Sequence, residues 1–183
     1  ERWTELSAVT ISYGHGLSTS PLHLAAGYAA IGNGGYAVKP TLLRRHGPVA
    51  RGPRVMSEEV AKSAQTMLRK VVTEGTASFG EVPGYHVGGK TGTADKPRPR
   101  GGGYYDDKVI STFAALFPAH APRYVLVVAL DEPVETLGKK PRRSAGWTAV
   151  PVAAEMIGRI APLLGLRPEY AGPDQLQIIQ TSQ

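Results

Sequence analysis

The chain has 183 residues, room for about one domain with one sizeable core, and two complete domains do not fit. A content of 42% hydrophobic and 20% charged residues is that of a globular protein and excludes a disordered or collagen-like chain. The 21 basic and 15 acidic residues leave +6, which favours polyanions without naming a partner; the absence of cysteine excludes disulfides, a thiol nucleophile and thiolate zinc, and the five histidines lack the His-Glu-x-x-His spacing of a metal site.

In chain order, Ser20 supplies a side-chain cap, Pro21 suits a first turn, and Ala-rich sequence follows until Gly32-Asn33-Gly34-Gly35. Residues 20–31 are therefore predicted to be a helix. A short extended stretch, 36–43, comes next. Ser57 with Glu58 and Glu59 opens a second helix that Gly75 ends, and Val60, Ala64, Met67, Leu68 and Val71 are predicted on its core face. Residues 109–117 and 124–130 are β-branched and apolar, the second nearly all apolar, as in a strand covered on both faces. That second run is the longest apolar one and falls far short of the roughly 20 residues of a membrane helix. The link 118–123 is too short for a parallel crossover, so the two strands pair antiparallel. Residues 150–160, with Pro151 early and Pro162 after, form a third helix whose Val152, Ala153, Met156, Ile157 and Ile160 are predicted to cover the sheet. The fold class is α+β, an antiparallel sheet flanked by helices, over residues 1–163, with a polar tail over 164–183.

The stretch Gly84-Tyr85-His86-Val87-Gly88-Gly89-Lys90-Thr91-Gly92-Thr93 fits two motifs that imply different enzymes. Gly84, Gly89, Lys90 and Thr91 match a phosphate-binding loop, and the apolar run ending in Asp131-Glu132 imitates the strand that holds its magnesium. A phosphate loop, however, needs a helix starting at the Lys-Thr pair so that its amides face the phosphates. Here Pro97, Pro99 and the glycines at 101–103 follow, where no helix can start.

Lys90-Thr91-Gly92-Thr93 is also the Lys-Thr-Gly motif of acyl-serine enzymes that act on penicillins and D-Ala-D-Ala peptides. That chemistry suits an extended strand. Lys90 and Gly92 point one way and Thr91 and Thr93 the other, and the missing side chain at Gly92 lets substrate backbone come close. The ammonium and hydroxyl groups can hold a substrate carboxylate, while a backbone N–H points at a developing oxyanion.

The surrounding sequence extends this pattern. Ile11-Ser12-Tyr13-Gly14-His15-Gly16-Leu17-Ser18, Ser20-Pro21-Leu22-His23-Leu24-Ala25, Asn33-Gly34-Gly35, Gly84-Tyr85, Phe117-Pro118, Asp131-Glu132-Pro133 and Ala149-Val150-Pro151-Val152 follow in an order that resembles class B penicillin-binding proteins, closest to the cell-division type, over roughly residues 7–162. The resemblance implies a partial penicillin-binding fold, similar to that of β-lactamases and transpeptidases, and a membrane-anchored parent at the periplasmic face of the inner membrane. It further implies peptidoglycan stem peptides and β-lactam antibiotics as ligands, cell-division proteins as partners, and no cofactor, metal or nucleic acid. By matching positions, Lys90 and Thr91 help to position substrate and the nucleophile's network. Thr93 offers the oxyanion N–H and a carboxylate contact, and Gly92 gives access.

The family's nucleophile is the serine of Ser-x-x-Lys, assisted by Ser-x-Asn, and both lie upstream of the part resembled here. Among Ser7, Ser12, Ser18, Ser20, Ser57, Ser63, Ser78, Ser111 and Ser144, none has Lys three places on or Asn two places on. Thr136-Leu137-Gly138-Lys139 mimics the first motif with a threonine, in a basic loop. The chain, which opens Glu1-Arg2-Trp3, reads as the C-terminal half of a transpeptidase domain cut from a longer protein and inactive by itself. A non-catalytic penicillin-sensing or scaffold module of the same fold and a nucleotide hydrolase stand as alternatives. Lys139-Lys140-Pro141-Arg142-Arg143 reads as a solvated loop, residues 96–100 as a mobile basic loop at the site's edge, His15 and His86 as structural, and Tyr104 and Tyr105 as rim packing before a strand.

Overall fold

Antiparallel pairing of three strands organises the chain, in a computed structural model that describes residues 4–14, 16–44, 46–47, 49–100 and 102–170. Helices α1 (Glu5–Ser12), α2 (Pro21–Gly32) and α3 (Glu58–Thr73) come first, then strands β1 (Gly88–Pro97), β2 (Tyr104–Phe117) and β3 (Tyr124–Asp131), then helix α4 (Ala149–Leu163). The sheet order is β1-β2-β3 with both pairings antiparallel, as the short 118–123 link requires. The caps read from the sequence are in place: Ser20 Oγ accepts from the His23 amide at 3.2 Å and Ser57 Oγ from the Val60 amide at 3.1 Å. α1, which hydrophobic periodicity does not announce, is capped by Thr4, whose Oγ1 accepts from the Ser7 amide at 3.1 Å.

Directly opposed residues share a face, so the register divides the sheet into two surfaces. Gly89, Thr91 and Thr93 lie with Ser111, Phe113 and Ala115 on one of them, where Phe113, Phe117 and Val128 join Val150, Ala153 and Ile157 of α4 in the main core. Gly88, Lys90 and Gly92 lie on the other with Ala114 and Val127, toward α2 and α3. Those two helices are tied by Gln65 Nε2, which donates to the Ile31 carbonyl at 2.7 Å.

Both long helices bury a stripe that partly matches the one hydropathy predicts: Ala64, Leu68 and Val71 of α3 are half-buried, and Ala153 and Ile157 of α4 are buried with Ile160 packed against the core, while the rest of each predicted face turns outward. On α3, Val60 and Met67 are exposed while Ala61 and Val72 are buried. The inward stripe admits Gln65 and Arg69 because each finds a backbone carbonyl, Ile31 O and Val87 O, and this satisfies polar groups that hydropathy would place outside. On α4, Val152 and Met156 are exposed and Ala149, Val150, Ala153, Ile157 and Ala161 are buried. This helix is apolar almost all round, so its orientation is set by shape: the rings of Phe113 and Phe117 fill the sheet surface and leave space for alanine.

The strands also run further than predicted. β1 continues through Lys96 to Pro97 and β2 begins at Tyr104, so Lys96 belongs to a strand and not to a mobile loop. Its ammonium reaches Asp131 at 2.7 Å and Glu132 at 2.8 Å, and Lys108 adds a second pair to Glu132 at 3.0 Å. Lys96 is pushed up from its ordinary pKa by its hydrogen bonds to Asp131 and then Glu132, and Glu132 is held below the usual range by Lys96 and then Lys108. Pro97 is tolerated there because β1 is an edge strand and β1–β2 pairing is already irregular between Asp95 and Pro97. Tyr104 and Tyr105 fall inside β2, with the Tyr105 ring beneath Arg98 and Lys108.

The basic run at 139–143 is not wholly solvated. Arg142 pairs with Glu135 through backbone hydrogen bonds at 2.8 and 3.0 Å and lies 3.6 Å above the Trp147 ring, and the Arg143 carbonyl accepts from Ser111 Oγ at 2.7 Å. After α4 the chain returns to the body: Leu166 is buried in the core and the Glu169 amide donates to the Gly84 carbonyl at 2.8 Å. His15 and residues 171–183 of the expected tail lie outside the described residues.

Candidate active site

The Lys90-Thr91-Gly92-Thr93 segment sits in the middle of β1, whose outer edge pairs with no strand among the described residues. An open edge presents main-chain N–H and C=O groups that an extended substrate backbone can engage. No helix starts at Lys90, and the strand bearing Asp131 is antiparallel to its neighbour, so the phosphate-loop geometry is absent and the nucleotide reading has no support.

The alternation predicted along the strand places Lys90 on one face and Thr91 and Thr93 on the other. Lys90 is exposed; its ammonium donates to the Thr91 carbonyl at 2.9 Å, and no carboxylate pairs with it among the described residues. In contrast, Lys62, Arg69, Lys96, Arg98, Lys108 and Arg159 all have carboxylate partners. Lys90 is thus a free cation beside an open strand edge.

The two hydroxyls on the opposite face have different partners. Thr91 Oγ1 is 2.8 Å from Thr76 Oγ1, a bond in which either hydroxyl can be the donor. Thr93 Oγ1 accepts the Ala145 amide hydrogen at 3.0 Å. A hydroxyl that accepts in this way keeps its own proton for another acceptor, so Thr93 can donate to an anion. Thr76 and the 143–146 loop were not singled out by sequence. Their only signal is their place after a helix and after the last strand, because the contacts span 15 and 52 residues of chain.

The glycines of the segment serve two purposes. A Cβ on Gly89 would stand 2.6 Å from the Ala114 carbonyl oxygen and 2.6 Å from Phe113 Cζ, and one on Gly88 would stand 3.2 Å from the Arg69 amide nitrogen, so packing demands glycine at both. A Cβ on Gly92 would meet nothing nearer than Thr112 Cβ at 3.9 Å, an ordinary contact. Nothing inside the chain requires glycine at 92.

The histidine beside the motif is structural in its contacts. His86 holds a left-handed backbone at φ 44°, its carbonyl accepts from the Ala119 amide at 2.7 Å, and its ring meets His120 edge-on at 5.4 Å. The Glu169 carboxylate lies 3.9 Å from His86 Nε2 and 3.3 Å from His120 Nε2. Among the described residues no group of His, Cys, Asp and Glu is arranged to hold a metal ion.

An open strand edge with a cation that no carboxylate pairs, a hydroxyl able to donate and a glycine with space over it suits an extended anionic ligand. The model of the penicillin-binding protein transpeptidase domain matches residues 1–156, and the chain belongs to that family. Within it the chain is of class B. It is 37% identical over 175 residues to the probable peptidoglycan D,D-transpeptidase FtsI of Caulobacter vibrioides, covering 91% of this chain and 30% of that protein. To the peptidoglycan D,D-transpeptidase FtsI of Escherichia coli K12 it is 31% identical over 170 residues, covering 92% of this chain and 28% of that protein. Among solved structures, the apo transpeptidase domain of penicillin-binding protein 3 from Burkholderia pseudomallei superposes with a TM-score of 0.80 at 36% identity, covering 92% of this chain and 50% of that one. Penicillin-binding protein 3 of Mycobacterium tuberculosis in complex with ampicillin gives 0.73 at 32% identity, covering 94% of this chain and 40% of that one. The chain therefore spans half or less of the length of these relatives.

Proposed function

We propose that this chain forms one wall of a serine-type D-Ala-D-Ala transpeptidase site that cross-links peptidoglycan. In the reaction a serine oxygen attacks the D-Ala-D-Ala carbonyl and expels D-Ala, and a neighbouring stem-peptide amine then takes the acyl group. The nucleophile comes from a part of the parent protein outside this sequence, in which no Ser-x-x-Lys occurs. The observation that carries the reading is the pairing of Gly92, which no internal contact requires, with Thr93, whose hydroxyl proton is left free by the Ala145 amide.

Each residue has a separate task. The substrate backbone lies along β1 over Gly92. Lys90 supplies positive charge to the nucleophile's network, and the Thr93 hydroxyl donates to the substrate carboxylate. The Thr93 N–H faces the oxyanion that develops as the carbonyl becomes tetrahedral. Thr91 acts through structure: its hydroxyl bond to Thr76 fixes the twist of the strand between Lys90 and Thr93. The parent is anchored at the periplasmic face of the inner membrane and works with cell-division proteins; within this chain no described helix is long and apolar enough to cross a membrane.

The test uses a labelled penicillin and intact mass. The full-length parent is acylated stoichiometrically, and Lys90→Ala slows acylation about 100-fold, as expected if some 2.7–4 kcal/mol of electrostatic stabilisation is lost. Residues 1–183 alone form no adduct. An unchanged rate for Lys90→Ala removes the role given to the cation, and an adduct on any serine of the chain overturns the assignment of the nucleophile to another segment. For the alternative, a non-catalytic penicillin-sensing module of the same fold, the parent gives no adduct.

A further inference from the structure

The +6 net charge is concentrated in one part of the chain. Between Glu5 and Glu58 there is no Asp or Glu, while Lys39, Arg44, Arg45, Arg51 and Arg54 all fall there. That stretch borders a cleft of about 730 Å³ between α2, residues 37–40 and 49–52, and the turn that joins β2 to β3. The floor is apolar, formed by Leu22, Ala25, Ala29, Val38, Val49 and Pro122. Its rim carries Lys39, Arg51 and Arg123, and no carboxylate lines it.

Arg51 and Arg123 on the rim, and Arg54 beside it, each lie over an aromatic ring. The Arg51 guanidinium lies 5.0 Å and that of Arg54 4.1 Å from the Tyr36 ring centroid, while Arg123 lies 5.7 Å from that of Tyr124. Ring stacking limits rotamer freedom, so less entropy is lost when a ligand is bound. None of Lys39, Arg51, Arg54 and Arg123 has a carboxylate within ion-pair distance among the described residues, unlike the paired cations around the sheet.

We propose that this cleft is a docking site for an acidic linear segment of a partner protein, with an apolar side chain seated on the α2 floor and carboxylates on the Lys39, Arg51 and Arg123 rim. Charge complementarity selects an anionic partner, and the concave apolar floor selects a peptide. A phosphodiester backbone has no apolar group to fill such a floor, and a bilayer surface is too flat to enter it. The site is separate from the β1 edge and requires nothing of the transpeptidase reading.

The experiment measures fluorescence anisotropy of a labelled decapeptide, Asp and Glu around a central Leu-Phe pair, with the full-length protein at 0.15 M ionic strength, near the physiological value where the Debye length is about 8 Å. The expected result is binding that falls about tenfold or more, or about 1.4 kcal/mol, in the Arg51→Ala/Arg123→Ala double variant. It falls equally when Ser replaces Leu-Phe in the probe. The double variant Lys139→Ala/Lys140→Ala, which removes the same charge from exposed lysines elsewhere, retains affinity within about twofold. Penicillin acylation is the same in both double variants. Equal weakening by the two double variants, or equal binding of the Ser probe, would show charge attraction alone and overturn the proposal. Absence of measurable binding of the Leu-Phe peptide would likewise overturn it.

Discussion

Replacing Thr93 by Val removes one hydroxyl while keeping the side chain's shape, and the consequence for folding is calculable. The Ala145 amide, fully buried, donates to Thr93 Oγ1 at 3.0 Å, and this bond pins the loop after β3 to the edge strand. In the variant the amide hydrogen, on a residue with no accessible surface, loses that acceptor, at a cost of about 1–3 kcal/mol. Ser keeps the acceptor oxygen and should recover most of the loss. Urea unfolding followed by circular dichroism reads this directly: with a slope of about 2 kcal/mol/M, Thr93→Val lowers the midpoint by roughly 0.5–1.5 M at unchanged slope. Thr91→Val is the internal comparison. Its partner Thr76 is exposed, so water replaces the lost bond and the midpoint moves less, by about 0.5 M or less. A Thr93→Val midpoint within about 0.2 M of the parent chain, or Thr91→Val as damaging as Thr93→Val, would refute the hydrogen-bond assignment on which the direction of the Thr93 proton rests.

The two strand glycines should separate folding from ligand binding. Gly89→Ala forces a Cβ against the Ala114 carbonyl and the Phe113 ring and should cost about 1–3 kcal/mol in the same unfolding assay. Gly92→Ala should leave stability within about 0.5 kcal/mol and yet slow penicillin acylation of the full-length parent. On α4, Ile157→Ala should cost about 2–5 kcal/mol, because the side chain is fully buried. Met156→Ala, with that residue 40% exposed, should cost below about 1 kcal/mol, and the order reverses if the helix is rotated. The Lys96, Lys108 and Glu132 cluster makes the end of the sheet pH-dependent with a definite sign. Glu132 is held below its ordinary pKa when folded, so its contribution is complete above about pH 4.3 and is lost as pH falls through the lower folded value. Lys96 is raised, so its contribution is complete below about pH 10.4 and is lost as pH rises through the higher folded value. Hydrogen exchange of the β1 and β2 amides near Lys96 should accelerate beyond its intrinsic pH dependence at both extremes, and Lys96→Met should weaken both effects, with the Lys108–Glu132 pair retaining part of each.

Local chemistry written into the chain was legible without coordinates. The caps at Ser20 and Ser57, the antiparallel hairpin across 118–123 and the extended state of the Lys90 segment each depend on residues within a few positions of one another, where sterics and backbone hydrogen bonding leave one choice. The family motif was legible for the same reason, since Lys90, Thr91, Gly92 and Thr93 are contiguous. The inward stripes of α3 and α4 were legible only in part. Gln65 and Arg69 are half-buried because carbonyls arrive from α2 and from the segment before β1, and the alanines of α4 pack in one core with the rings of Phe113 and Phe117. Nor did hydropathy place Lys96 in a strand, because what holds it is a carboxylate pair 35 and 36 residues away. The difference in surroundings between Thr91 and Thr93 is also tertiary: the two side chains are identical, and only the fold brings Thr76 to one and the Ala145 amide to the other. Sequence by itself determined which backbone states and which reactive groups this protein has. Tertiary structure decided which groups are satisfied and which remain free to act, because satisfaction depends on partners that chain separation conceals and packing brings within 3 Å or so.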